Sequence, residues 1–149
     1  MTSLLKGVVE DPKGTGGRAR ALGREVAGKT GSTNEYFDAW FIGYTAQVAT
    51  GVWVGFDKER SLGKGEVGGR AALPIWIDYM KAAHENLPMA SIPVPNNITF
   101  VNIDAETGRL PTSDTKQIIK QAFLVGTEPT RQNNKEEDTS EFLKQDLTE

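Results

Sequence analysis

Residues 29–57 read KTGSTNEYFDAWFIGYTAQVATGVWVGFD, and this stretch decides the fold. Residues 39–44 (AWFIGY) and 51–56 (GVWVGF) are aromatic and β-branched runs. A short connection, residues 45–50, lies between them, so the two runs predict an antiparallel hairpin. A third strand is expected just upstream, over about residues 25–33. The expected sheet is antiparallel and three-stranded, ordered 24–33, 38–46 and 50–57, within an α+β fold.

Downstream of the sheet, a helix is expected from Leu73, with Pro74 in its first turn, where a missing N–H costs little. Trp76, Tyr79, Met80, Ala83 and Leu87 form its apolar stripe. His84 is expected on the polar side of that helix, solvated, and Arg70 at the surface. Trp40, Trp53 and Trp76 are expected in the core or at its edge. Pro88, Pro93 and Pro95 close the helix, and residues 97–104 read as one more short strand. Upstream, Leu4, Leu5, Val8 and Val9 mark one face of a helix, with Thr2 as N-cap and Asp11-Pro12 as its stop. Gly14-Thr15-Gly16-Gly17 reads as a turn or loop.

Composition bounds the function classes. The chain has 149 residues, 38% hydrophobic and 25% charged, enough for a buried core. With no cysteine and a single histidine, thiolate metal sites, disulfides and multi-histidine zinc sites are excluded. A net charge of −3 offers no nucleic-acid footprint. The acidity is concentrated at the end: residues 128–149 hold three basic and seven acidic residues and are expected to be a disordered tail. No apolar run reaches the length of a membrane span, and no signal peptide is seen.

Three motifs compete for the same residues. Gly23–Thr30 (GREVAGKT) fits the phosphate-binding pattern G-x-x-x-x-G-K-[ST]. Its context argues against it. The residues before Gly23 are charged rather than a buried strand, and a β-rich run follows where a helix should start. Gly14–Ala19 fits G-x-G-x-x-[GA], but it follows a helix and a proline instead of a strand. The third motif is Lys29-Thr30-Gly31, with Ser32 and Thr33 after it. On a strand it makes chemical sense. Lys29 supplies a fixed positive charge, and Gly31 permits close approach of another backbone. Thr30 and Ser32 share one face of a period-2 strand, so two hydroxyls can meet one anion.

The longer string gives the third motif its weight. Lys29–Asn34 (KTGSTN) precedes residues 38–45 (DAWFIGYT), then 51–57 (GVWVGFD), then 68–76 (GGRAALPIW). In that order and spacing the chain resembles the end of the transpeptidase domain of class A, bifunctional penicillin-binding proteins. The likeness spans about residues 1–130 and is most specific over 28–76. Ser32 stands where the family's K-T-G-T has threonine, and Ala46 where a proline is common after Gly-Tyr-Thr.

The resemblance implies a partial serine β-lactamase/transpeptidase-like domain with helices flanking the sheet. It divides the chain into residues 1–88 of that domain, an extension over 89–128 containing a short strand, and the acidic tail over 129–149. It implies Lys29 and Ser32 as catalytic residues, with Thr30, Gly31, Ser32 and Thr33 binding substrate. The Ser32 N–H would complete an oxyanion hole. The implied partners are peptidoglycan stem peptides and β-lactams, with no nucleic acid, no metal and no organic cofactor. The parent protein is expected to be periplasmic and anchored to the inner membrane.

A serine transpeptidase also needs an S-x-x-K nucleophile and an S-x-N element. The S-x-x-K strings at Ser3–Lys6, Ser61–Lys64 and Ser113–Lys116 do not fit the family's layout, nor does S-x-N at Ser32–Asn34. The chain therefore reads as a C-terminal piece carrying one wall of an active site, inactive alone. A catalytically inert interaction domain is the alternative reading, and a P-loop nucleotide-binding protein the third. In the family the last strand of this sheet pairs with a strand from far upstream. Its open edge predicts self-association.

Overall fold

A computed structural model describes residues 1–130. From residue 131 on, the tail expected to be disordered lies outside the described residues. The elements are α1 (Thr2–Glu10), β1 (Ala27–Ser32), β2 (Ala39–Tyr44), β3 (Ala49–Val54), α2 (Gly68–Ala83), β4 (Ile98–Asp104) and β5 (Ile118–Leu124). The α+β class is as expected. The chain divides into two compact units, Met1–Pro93 and a second beginning at Val94.

In the first unit the sheet has the order β1-β2-β3, antiparallel throughout. Directly paired residues share a face. The pairs Gly28↔Gly43, Thr30↔Phe41 and Ser32↔Ala39 therefore define one side, and Lys29↔Ile42 and Gly31↔Trp40 the other. The first side is packed by α2: the Phe41 and Trp76 rings meet edge to face, 5.0 Å apart. Gly43 leaves room for this contact, since a Cβ there would stand 3.0 Å from Trp76 Cζ2 and 2.9 Å from Phe41 Cε1. Val26, Phe41, Leu73, Trp76 and Met80 are the largest fully buried side chains. Each contributes about 1.5–3 kcal/mol through removal from water.

The helices depart from expectation in instructive ways. α2 begins at Gly68, not Leu73, so Pro74 sits inside the helix and not in its first turn. The early start is set by tertiary contacts of Gly68, described below. The buried stripe follows the helical period through Ala72, Leu73, Trp76, Ile77 and Met80. Tyr79 is 55% exposed and Leu87 36%, so neither belongs to the stripe as expected. His84 was expected on the solvated side and is instead buried. It lies one turn after Met80 on the same face. Its Nδ1–H donates to the Met80 carbonyl at 2.7 Å, and its Nε2 lies 2.9 Å from Thr45 Oγ1. Trp76 is in the core, but Trp40 and Trp53 are 42% and 43% exposed. They face each other across β2 and β3 on the side away from α2.

In α1 the expected cap is displaced by one residue. Met1 is the N-cap, and Thr2 Oγ1 lies 2.9 Å from Tyr44 Oη instead of capping. Val9 is buried, whereas Leu4, expected on the apolar face, is exposed. The glycine-rich loop leads into a 3₁₀ helix over Gly17–Leu22.

The second unit holds a strand that sequence reading did not assign. β4, expected, pairs antiparallel with β5, from Ile98↔Leu124 to Asp104↔Ile118. Five of the seven residues of β5 are apolar, but Lys120 and Gln121 interrupt them without a clear alternation, so the period-2 signal is weak. Asp104 closes the turn after β4 by accepting from the N–H groups of Glu106 and Thr107 at 2.8 and 3.2 Å.

Candidate functional site

The K-T-G segment lies on β1, an edge strand of the sheet. One long side of Lys29–Ser32 is paired with β2, and no other strand among the described residues pairs with its far side. Lys29 is exposed, and its Nζ donates to the Thr30 carbonyl at 2.8 Å and to Thr30 Oγ1 at 3.4 Å. Thr30 Oγ1 lies 2.8 Å from Thr15 Oγ1. Ser32 Oγ accepts from the Gly68 N–H at 3.0 Å. Thr30 and Ser32 lie on the same side of the strand, as the period requires. The hydroxyl of Thr33, just beyond β1, is used differently: it accepts from the Asp38 N–H at 2.8 Å and closes the connection to β2.

Gly31 is the glycine of the motif, and its neighbour is Trp40. A Cβ at Gly31 would stand 3.2 Å from Trp40 Cβ. The missing side chain therefore lets the indole stand beside the strand. In the connection that follows, Glu35 and Tyr36 hold left-handed backbone conformations, with φ of 59° and 61°. Such conformations cost a non-glycine residue free energy and need support from their surroundings. Here Ser61 Oγ donates to the Glu35 carbonyl at 2.7 Å and Leu62 N–H to that of Tyr36 at 2.8 Å.

Gly68 brings α2 onto the strand. A Cβ there would stand 2.1 Å from the Trp40 carbonyl oxygen and 2.6 Å from that of Gly31. Only a residue without Cβ lets the helix start this close to β1 and β2. Gly68-Gly69-Arg70 belongs to the family string, but nothing in its local sequence signals that Gly68 seats the helix on the strand. Arg70 is at the surface, as expected, paired with Glu66 at 3.1 Å.

Upstream of the motif, two consecutive residues anchor the entry to β1. Arg24 Nη1 donates to the Pro88 carbonyl at 2.7 Å and Nη2 to that of His84 at 3.3 Å, so Arg24 caps the chain leaving α2. Glu25 pairs with Lys6 of α1 and accepts from the Ile92 N–H at 2.6 Å. The hydrogen bond from Lys6 holds the Glu25 carboxyl below its ordinary value, and the same bond raises the Lys6 ammonium. The structure also removes the setting a phosphate-binding loop requires. Gly28, Lys29 and Thr30 are mid-strand, and the next α-helix begins at Gly68. Among the described residues, no group of three or more His, Cys, Asp or Glu side chains could hold a metal ion.

Comparison with known proteins finds relatives of this chain. Residues 94–137 match the model of the family described as penicillin-binding protein 1A, C-terminal domain. Over 126 residues, 85% of this chain, the sequence is 44% identical to penicillin-binding protein 1A of Aquifex aeolicus, covering 17% of that protein. It is 50% identical over 110 residues to penicillin-binding protein 1A of Pseudomonas aeruginosa, covering 73% of this chain and 13% of that one. The crystal structure of penicillin-binding protein 1A from Haemophilus influenzae superposes with a TM-score of 0.77 at 38% identity, covering 89% of this chain and 21% of the other. The chain thus spans about a fifth or less of the relatives it matches. With its motif string, fold and C-terminal match in agreement, the chain belongs to the class A penicillin-binding proteins and corresponds to their C-terminal portion.

Proposed function

We propose that this chain forms one wall of a peptidoglycan D,D-transpeptidase site in an extracytoplasmic, membrane-anchored parent protein. The observation that carries the reading is the placement of Lys29, Thr30 and Ser32 together on an edge strand whose far side has no β-partner among the described residues. An extended peptide can align with such an edge through its backbone. Its terminal carboxylate, or that of a β-lactam, then meets the hydroxyls of Thr30 and Ser32 beside the Lys29 ammonium. Charge-assisted hydrogen bonds of this kind are stronger than neutral ones. Stem peptides and β-lactams are thus the proposed ligands, and Lys29 and Ser32 the residues nearest the proposed chemistry.

The nucleophile is the part this wall lacks. Ser3 and Lys6 share α1, but the Lys6 ammonium is engaged by Glu25 and Glu10 and is not free to take a proton from Ser3. Ser61 Oγ is committed to the Glu35 carbonyl. The chain alone should therefore show no covalent band with a fluorescent penicillin on a denaturing gel. A band that disappears in Ser3→Ala would overturn the proposal.

We propose also that the chain self-associates through β3, the other edge of the sheet. Val52 and Val54 lie on the core side of that strand, Trp53 on the open side, and unpaired N–H and C=O groups line an edge of this kind. Light scattering after size exclusion should show mass rising with concentration. A constant monomer mass at high concentration would count against it.

A further inference from the structure

The glycine-rich loop upstream of the sheet has so far no role in the site, yet the fold lays it against the K-T-G strand. Gly16 N–H donates to the Val8 carbonyl at 3.0 Å, folding the loop back on the end of α1. A Cβ at Gly14 would stand 2.2 Å from Val8 O, and one at Gly16 3.2 Å from the same atom. Gly14 is therefore needed for the fold-back, and Gly16 lies in a close contact that a side chain would tighten. On the other flank, a Cβ at Gly69 would stand 2.9 Å from the Thr15 carbonyl oxygen. Thr15 is thus held between the end of α1 and the first turn of α2. It is the one residue of the run Gly14–Gly17 with a functional side chain, and that side chain meets Thr30 at 2.8 Å.

We infer that Thr15 is a positioning residue for anion binding by Thr30. This rests on the reading of the K-T-G strand as a carboxylate subsite. A hydroxyl has one proton to donate and two lone pairs to fill. Thr30 Oγ1 accepts from the Lys29 ammonium, which can only donate. If Thr15 also donates, both lone pairs of Thr30 Oγ1 are filled, and its proton is left to point at a ligand. A carboxylate accepts only, so it selects this arrangement. Thr15 O–H donates to Thr30, and Thr30 O–H donates to the anion. Without the Thr15 hydroxyl, the Thr30 side chain loses the partner that sets its direction.

The test uses the full chain, isotope-labelled, titrated by NMR with N-acetyl-D-alanyl-D-alanine and with its methyl ester. The wild type is expected to prefer the free acid. Thr15→Val, which exchanges hydroxyl for methyl, should cut that preference about fivefold, while ester binding stays unchanged. Thr15→Ser should restore it. Should Thr15→Val disturb the amide spectrum beyond the site, Thr15→Ala carries the same expectation. An undiminished acid preference in the Val and Ala variants, alongside its loss in Thr30→Val, would overturn the role of Thr15 and leave the subsite standing. No acid preference in the wild type would overturn the subsite reading, and this inference with it.

Discussion

Trp76→Ala is expected to cost the first unit about 3–5 kcal/mol, the range for removing a large aromatic side chain from a core. The indole is fully buried, meets Phe41 edge to face, and donates from Nε1 to the Thr50 carbonyl at 3.0 Å. The truncation therefore opens a cavity between α2 and the sheet and also strips a β3 carbonyl of its donor. Domains are stable by only about 5–15 kcal/mol in total, so the loss is a large share of what holds the unit together. Urea unfolding followed by far-ultraviolet circular dichroism measures it. Since the variant removes a fluorophore, tryptophan emission is the wrong probe. A change below about 1 kcal/mol would mean that the core is not organised around Trp76.

Gly68→Ala should be the next most damaging change, at about 3 kcal/mol, the upper part of the usual range for overpacking. In a helix, alanine normally stabilises relative to glycine by about 0.5–1 kcal/mol. Here the added Cβ would fall 2.1 Å from Trp40 O and 2.6 Å from Gly31 O. Both obstacles are backbone atoms in paired strands, which cannot swing aside as a side-chain tip would. The start of α2 must retreat, and with it the Gly68 N–H that holds Ser32 Oγ. Gly7→Ala, in the middle of α1, provides the contrast. Apart from its neighbours and the helix's own backbone, no atom lies within 4 Å of a Cβ there, so the ordinary gain of about 0.5–1 kcal/mol is expected. Unfolding both variants under the same conditions tests the idea. A stabilised Gly68→Ala would show that the helix start is not pinned by this contact.

The pairing of opposite outcomes for one chemical change explains which parts of the protein could be read from its sequence. The sheet was legible because its signal is local. The runs around Trp40–Tyr44 and Val52–Phe56 are aromatic and β-branched, and the short connection between them demands antiparallel pairing. The strand character of the K-T-G motif, and the shared side of Thr30 and Ser32, follow from a two-residue period that needs no other part of the chain. Resemblance in the order and spacing of motifs was enough to reach the family.

His84, Thr15 and Gly68 were different. His84 stands four residues after Met80 on the same face of α2, but a histidine there is buried only where partners satisfy both ring nitrogens, and these are the Met80 carbonyl and the distant Thr45 hydroxyl. Thr15 sits in a loop whose local pattern says only that the chain turns. Its meeting with Thr30 depends on glycines at 14 and 69, each of which acts by leaving space for a backbone distant in sequence or across a turn. Side chains announce periodicity, and so the sequence by itself determined the three strands of the first unit's sheet, their order and the motif they carry, but not β5, whose period is weak. A missing Cβ announces nothing about what will occupy its space. Only the tertiary structure decided that α2 starts against β1, that His84 is buried, and that a glycine-rich loop delivers a hydroxyl to the proposed site.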